Sequence, residues 1–174
     1  MMCMIGVFPP GIRPERVRLE ECFLYHNDGW GLAYRDHMEK GVGYRFWDEW
    51  GRVPNDCQVV THFRTATSGG FGEEMAQPFI LSDGTLVFHN GVIGGVGNED
   101  ESDTSEFVRT VLDKLPPRWW NDAGWYDNVD WALASGKMVL LPPDEEAVII
   151  GRERGVQENG IWWSAPLRGV RLCT

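Results

Sequence analysis

Short apolar runs, each closed by proline or glycine, recur along the whole chain. Cys3 to Phe8 is stopped by Pro9-Pro10-Gly11, and Val59 to Arg64 runs out into Thr65-Ala66-Thr67-Ser68-Gly69-Gly70. Met138 to Leu141 meets Pro142-Pro143. Runs this short make strands rather than helices, and the breakers that close them make turns. Phe79 to Ser82 and Thr85 to His89 flank Asp83-Gly84, a favoured hairpin dipeptide. Tight connections join antiparallel neighbours and cannot join parallel ones, so the pattern predicts antiparallel sheets.

Helical spacing enters between the strands. Pro14 suits a first helical turn, and Leu19, Cys22, Phe23 and His26 then share one face, which predicts a helix from about Pro14 to His26. Asn27-Asp28-Gly29 is a turn. Trp30 to Tyr34 and Val42 to Trp47 read as two strands joined by a charged loop around Asp36 to Lys40. An acidic lead-in, Asn98 to Asp103, precedes a helix whose apolar residues Phe107, Val108, Val111, Leu112 and Leu115 repeat on one face until Pro116-Pro117 stop it. A further helix is expected from about Trp125 to Ala134, and strands at Ala147 to Ile150 and Ile161 to Ser164. Without a linker or repeat, residues 1–174 read as one domain, mixed α+β with antiparallel sheets.

Charge narrows the partners. The 174 residues carry 16 Lys and Arg against 26 Asp and Glu, a formal charge of −10. That sign argues against nucleic acid and anionic membrane surfaces, which need clustered cations. The four cysteines form no CxxC pair and no zinc spacing, so free thiols, no metal and no cofactor are expected. No signal sequence or membrane span is visible, and a cytoplasmic protein is the expectation.

Chemistry is concentrated where polar or small residues follow a strand or open a helix. A thiol at a chain terminus can use its own α-amine as base, because that amine has a pKa of roughly 7.7–8.0. Cys3 stands near the terminus, behind Met1-Met2. Attack on an amide carbonyl builds an oxyanion, for which the Asn90 side chain and the Gly91 N–H would be donors. Arg64 could grip a carboxylate with both arms, and Asp103 could take an ammonium. Together they suit an amidase acting on a free α-amino acid. Each residue also has a plainer reading. Cys3 would be a small buried residue, Arg64 a strand end in a surface ion pair, Asn90-Gly91 a turn, and Asp103 a helix cap completed by Glu106. His62 and His89 lie in strand alternation and read as packing or hydrogen-bonding residues.

The order of these pieces resembles the class II glutamine amidotransferase domain, an N-terminal-nucleophile hydrolase. The matching stretches are Cys3-Met4-Ile5-Gly6, Asn27-Asp28-Gly29-Trp30-Gly31-Leu32-Ala33, Thr61-His62-Phe63-Arg64-Thr65-Ala66-Thr67-Ser68-Gly69, Met75-Ala76-Gln77-Pro78-Phe79, Phe88-His89-Asn90-Gly91-Val92-Ile93 and Ser102-Asp103-Thr104-Ser105-Glu106. The chain departs from that pattern at Tyr25-His26, at Gln77, where the family usually has histidine, and at Gly94-Gly95.

The resemblance implies a four-layer αββα sandwich. It implies Cys3 as nucleophile, Asn90 and Gly91 as oxyanion hole, Arg64 on the substrate carboxylate, Asp103 on its ammonium, and Thr67 and Ser68 touching the substrate. Glutamine would be hydrolysed through a cysteine thioester, its ammonia passing to a separate ligase or synthase partner. A γ-glutamyl amide or conjugate hydrolase is the alternative. If Met1-Met2 stay attached, Cys3 lacks its base, and an inactive module binding a ligand or a partner is a further reading.

Overall fold

The computed structural model describes residues 3–66, 70 and 72–167. The first part of this chain forms β1 (Met4–Phe8), α1 (Arg16–Tyr25), β2 (Gly29–Tyr34), β3 (His37–Gly41), α2 (Arg45–Trp50) and β4 (Val59–Arg64). A hairpin follows, β5 (Phe79–Ile80) and β6 (Leu86–Asn90), then the helices α3 (Asp103–Thr110) and α4 (Ala123–Leu133). Four strands complete it: β7 (Lys137–Leu141), β8 (Val148–Ile150), β9 (Val156–Glu158) and β10 (Ile161–Trp163).

The strands form a six-stranded sheet, β3-β2-β4-β1-β10-β9, and a four-stranded sheet, β5-β6-β7-β8. All pairings are antiparallel. Side-chain alternation then sorts the apolar residues into three layers. Met4 and Phe8 of β1 face α1 and α2, where Leu19, Cys22, Phe23 and Phe46 cover them. Ile5 and Val7 point the other way, against Phe88, Val139 and Ile149 of the second sheet. Val87, Met138 and Leu140 face outward again and are covered by Phe107 and Val108 of α3 and Val129 and Leu133 of α4. Three apolar layers separate four structural ones, so the fold is an αββα sandwich.

Two segments correct the sequence reading. The charged stretch expected to be a loop is strand β3, and Val42 to Trp47 is not a strand but leads into helix α2. Strand β3 is the edge of its sheet, where half-buried charged residues such as Glu39 and Lys40 are tolerated and discourage further pairing. In α2, Phe46 and Trp50 lie one helical turn apart, and Phe46 meets Phe63 edge-on at 5.0 Å. The alternation of Tyr44 and Phe46 imitates a strand, but burial of the aromatic face decides for helix. Strand β9, a three-residue edge, was also not expected.

One close approach sets the spacing near the site. A β-carbon on Gly31 would lie 1.7 Å from the Gln77 carbonyl oxygen, so only glycine lets the 77–78 segment lie across β2. Among the described residues no helix is long and apolar enough to cross a membrane.

Candidate active site

Pairing of β1 with β4 sets Met4 opposite Phe63, which brings Cys3, one residue earlier, beside Arg64 and Thr65. Cys3 is half-buried. Its sulfur accepts from the Thr65 N–H at 3.3 Å and donates to the Thr65 carbonyl at 3.4 Å. The turn after α1 braces this segment: Asp28 Oδ2 accepts from the Ala66 N–H at 2.8 Å, and His26 Nδ1 lies 2.8 Å from Thr65 Oγ1. Arg64 is buried, and its Nη2 donates to the Gly70 carbonyl at 3.1 Å.

The second sheet supplies Asn90 at the end of β6. Asn90 is fully buried, and its Nδ2 lies 2.7 Å from Ser164 Oγ, which also accepts from the Ile5 N–H at 2.8 Å. One hydroxyl therefore ties β6 to the strand that begins beside Cys3. Gly91 follows with φ +155°, and a β-carbon there would lie 2.7 Å from Gly136 Cα, so the position admits no side chain. A turn glycine by sequence is thus also a close-packing glycine.

Asp103 opens α3, but it is not the cap. Ser102 caps the helix, accepting from the Ser105 N–H at 3.1 Å, and Glu106 bonds to the Gly97 N–H rather than closing a capping box. The buried Asp103 carboxylate accepts from the Ile93 and Thr104 N–H groups, each at 2.7 Å. Cys3, Arg64, Gly91 and Asp103 line one cavity of about 20 Å³. That is room for about one water molecule. Asn90 reaches this region from β6 without lining the cavity. Thr67 and Ser68 lie outside the described residues.

Burial pushes the Cys3 thiol above its ordinary pKa, and the Thr65 hydrogen bond and the Arg64 charge only partly oppose it. The thiol is therefore protonated at neutral pH and needs a base. His62 on β4 and His89 on β6 are buried neutral. Burial, with His89 and Arg64 adding repulsion, pushes His62 down to about 3, and burial pushes His89 down to about 4. His89 is held by its N–H donating to Gln77 Oε1 at 2.5 Å and by Thr104 Oγ1 at 3.0 Å from Nδ1. Gln77, the departure noted in the sequence, thus braces the strand that carries Asn90. Among the described residues no His, Cys, Asp or Glu side chains gather in threes as metal ligands would.

These histidines make stability depend on pH. An unfolded histidine takes a proton near pH 6.5, while His62 and His89 refuse one until about 3 and 4, so the unfolded state binds more protons between these values. Stability is complete above pH 6.5 and falls with pH below it. From pH 6 to 5 each histidine is expected to cost about 1 kcal/mol. Thermal melting across this range checks it, and a flat melting temperature would show that both rings charge in the folded protein.

By sequence, no protein-family model matches the chain and no curated protein matches it. By structure, it is similar to the glutamine phosphoribosylpyrophosphate amidotransferase of B. subtilis, solved in complex with ADP and GMP, with a TM-score of 0.55 and 15% identity. The match covers 92% of this chain and 41% of that one, so the chain spans about two-fifths of its neighbour's length. The likeness is one of fold.

Proposed function

We propose that the chain hydrolyses the side-chain amide of glutamine with Cys3 as nucleophile, once the residues ahead of Cys3 have been removed. One observation carries this reading. Cys3, Arg64, Gly91 and Asp103, from four separate stretches of sequence, line a single cavity.

In the free enzyme the α-amine of Cys3 takes the thiol proton, a role that no amide nitrogen behind Met2 could fill. The thiolate attacks the amide carbon, and the oxyanion accepts hydrogen bonds from Asn90 Nδ2 and the Gly91 N–H. The C–N bond breaks, the amine returns its proton to the leaving nitrogen, and ammonia departs. Water then adds to the thioester with the same amine as base, which releases glutamate and the thiol. The substrate carboxylate replaces the Gly70 carbonyl on Arg64, and the substrate ammonium lies against Asp103. Entry of glutamine requires the side chains around the cavity to part, since 20 Å³ holds about one water. The ammonia would pass to a separate synthase or ligase.

The test is glutamate release from glutamine by protein whose chain begins at Cys3. Equal activity with Met1-Met2 verifiably retained would overturn the terminal-amine mechanism. Activity confined to γ-glutamyl conjugates would replace glutamine as the substrate. Arg64→Ala is expected to raise KM for glutamine roughly 10- to 150-fold, because a charged hydrogen-bond contact of this type contributes about 1.5–3 kcal/mol. An unchanged KM would remove Arg64 from the site.

A further inference from the structure

The hydrogen bonds around Ser164 do not balance as the atoms stand. Ser164 Oγ accepts from the Ile5 N–H at 2.8 Å and from Asn90 Nδ2 at 2.7 Å, which uses both its lone pairs. The hydroxyl proton is left with only Met4 Sδ, a weak acceptor at 3.9 Å. Meanwhile the fully buried Asn90 Oδ1 has no partner among the described residues. An idle donor and an orphaned acceptor thus belong to two side chains already in contact. Half a turn of the Asn90 amide exchanges its oxygen and nitrogen within the same volume, pairs the Ser164 hydroxyl with Oδ1 and moves the unpaired capacity to Nδ2. Ser164 then donates its proton to Oδ1 while still accepting from Ile5.

We propose that Ser164 is a positioning residue for the reaction: its hydroxyl, anchored by the Ile5 N–H, donates to Asn90 Oδ1 and so holds the amide with Nδ2 free to donate to the oxyanion. This rests on the glutamine-hydrolysing reading and adds the device that orients its donor. The anchor fits the task. Ser164 is fully buried, and its own N–H donates to the Ile5 carbonyl at 2.9 Å, so the hydroxyl is fixed to β1, the strand that starts beside the nucleophile. In this orientation the Nδ2 protons have no partner among the described residues. Buried donors are rarely left so, and a catalytic role is one of the reasons that some are.

The experiment is a double-mutant cycle on protein beginning at Cys3. Ser164→Ala is expected to lower kcat roughly tenfold with little change in KM, since the oxyanion exists only after attack. In an Asn90→Ala background the same substitution should change kcat less than about twofold, because a positioning residue has nothing left to position. A purely structural serine would cost the same in both backgrounds, and that result overturns the proposal. If alanine prevents folding, Ser164→Cys, of similar size but a weak donor, takes its place with the same expectation. The second measurement needs no activity. With side-chain signals of Asn90 assigned by their loss in Asn90→Asp, Ser164→Ala should move the Asn90 carbonyl ¹³C resonance, as loss of a hydrogen bond to Oδ1 requires. A shift confined to one amide proton, or none, overturns the orientation. An inert wild type whose carbonyl signal still responds would refute the glutamine reading alone.

Discussion

Cys3→Ala, in protein beginning at residue 3, is expected to lower glutamate release from glutamine on the order of 10⁴-fold or more, since the residue that forms the intermediate cannot be replaced by its surroundings. The melting temperature should hardly move. Cys3 is half-buried, and among the described residues its sulfur makes two long hydrogen bonds, both to Thr65. A small packing residue would give the opposite pair of results, a change in stability with activity retained. Cys3→Ser sharpens the comparison because it keeps the shape and the hydrogen bonds. It too should be nearly inert, since an alcohol is a far weaker nucleophile than a thiol with the same base. Steady-state glutamate assays and a thermal melt on the three proteins decide the matter, and retained activity in Cys3→Ala would sink the nucleophile assignment.

Asn90→Ala is expected to reduce kcat by about 10²–10³-fold while KM stays within a few-fold, the effect of losing one oxyanion donor. The asymmetry is what identifies the role, because a donor that acts only after attack does not hold the ground state. Asn90→Asp should be at least as poor, since a carboxylate would face the developing negative charge. Should KM rise in parallel with the loss of kcat, Asn90 would be binding glutamine and not its transition state. The substitution removes a fully buried side chain, so folding must be verified by melting before the kinetics are read.

Much of the architecture is legible in residue order because burial is written as alternation. Met4 and Phe8 against Ile5 and Val7 foretell a strand buried on both faces, and the antiparallel sheets follow from the short breakers between strands. Helix α2 escaped because Tyr44 and Phe46 alternate as a strand would, and the partners that make Phe46 a helix face, Phe23, Trp30 and Phe63, come from other elements of the chain. The site shows the same division. Cys3, Arg64, Gly91 and Asp103 were named from their places at strand and helix ends, and the fold sets them around one cavity. Ser164 was read only as the end of a last strand. Its partners, Ile5 and Asn90, are 159 and 74 residues away, and nothing local to Trp162-Trp163-Ser164 announces them. Asp103 was read correctly as a carboxylate at a helix start but wrongly as a cap, because the neighbouring serine does that work.

Strand β1 is flanked by β4 on one side and β10 on the other. During synthesis the first of these neighbours exists long before the second. Until residues 161–163 have left the ribosome, the strand leading from Cys3 is an open edge, and closing that edge means ordering nearly the whole length between Ile5 and Ser164. Contacts of such separation make folding slow. Cys3, translated before both of these neighbours, therefore obtains its finished surroundings only once β10 is made, and a chain that stops short of Ser164 carries a thiol without the hydroxyl that ties β1 to the second sheet.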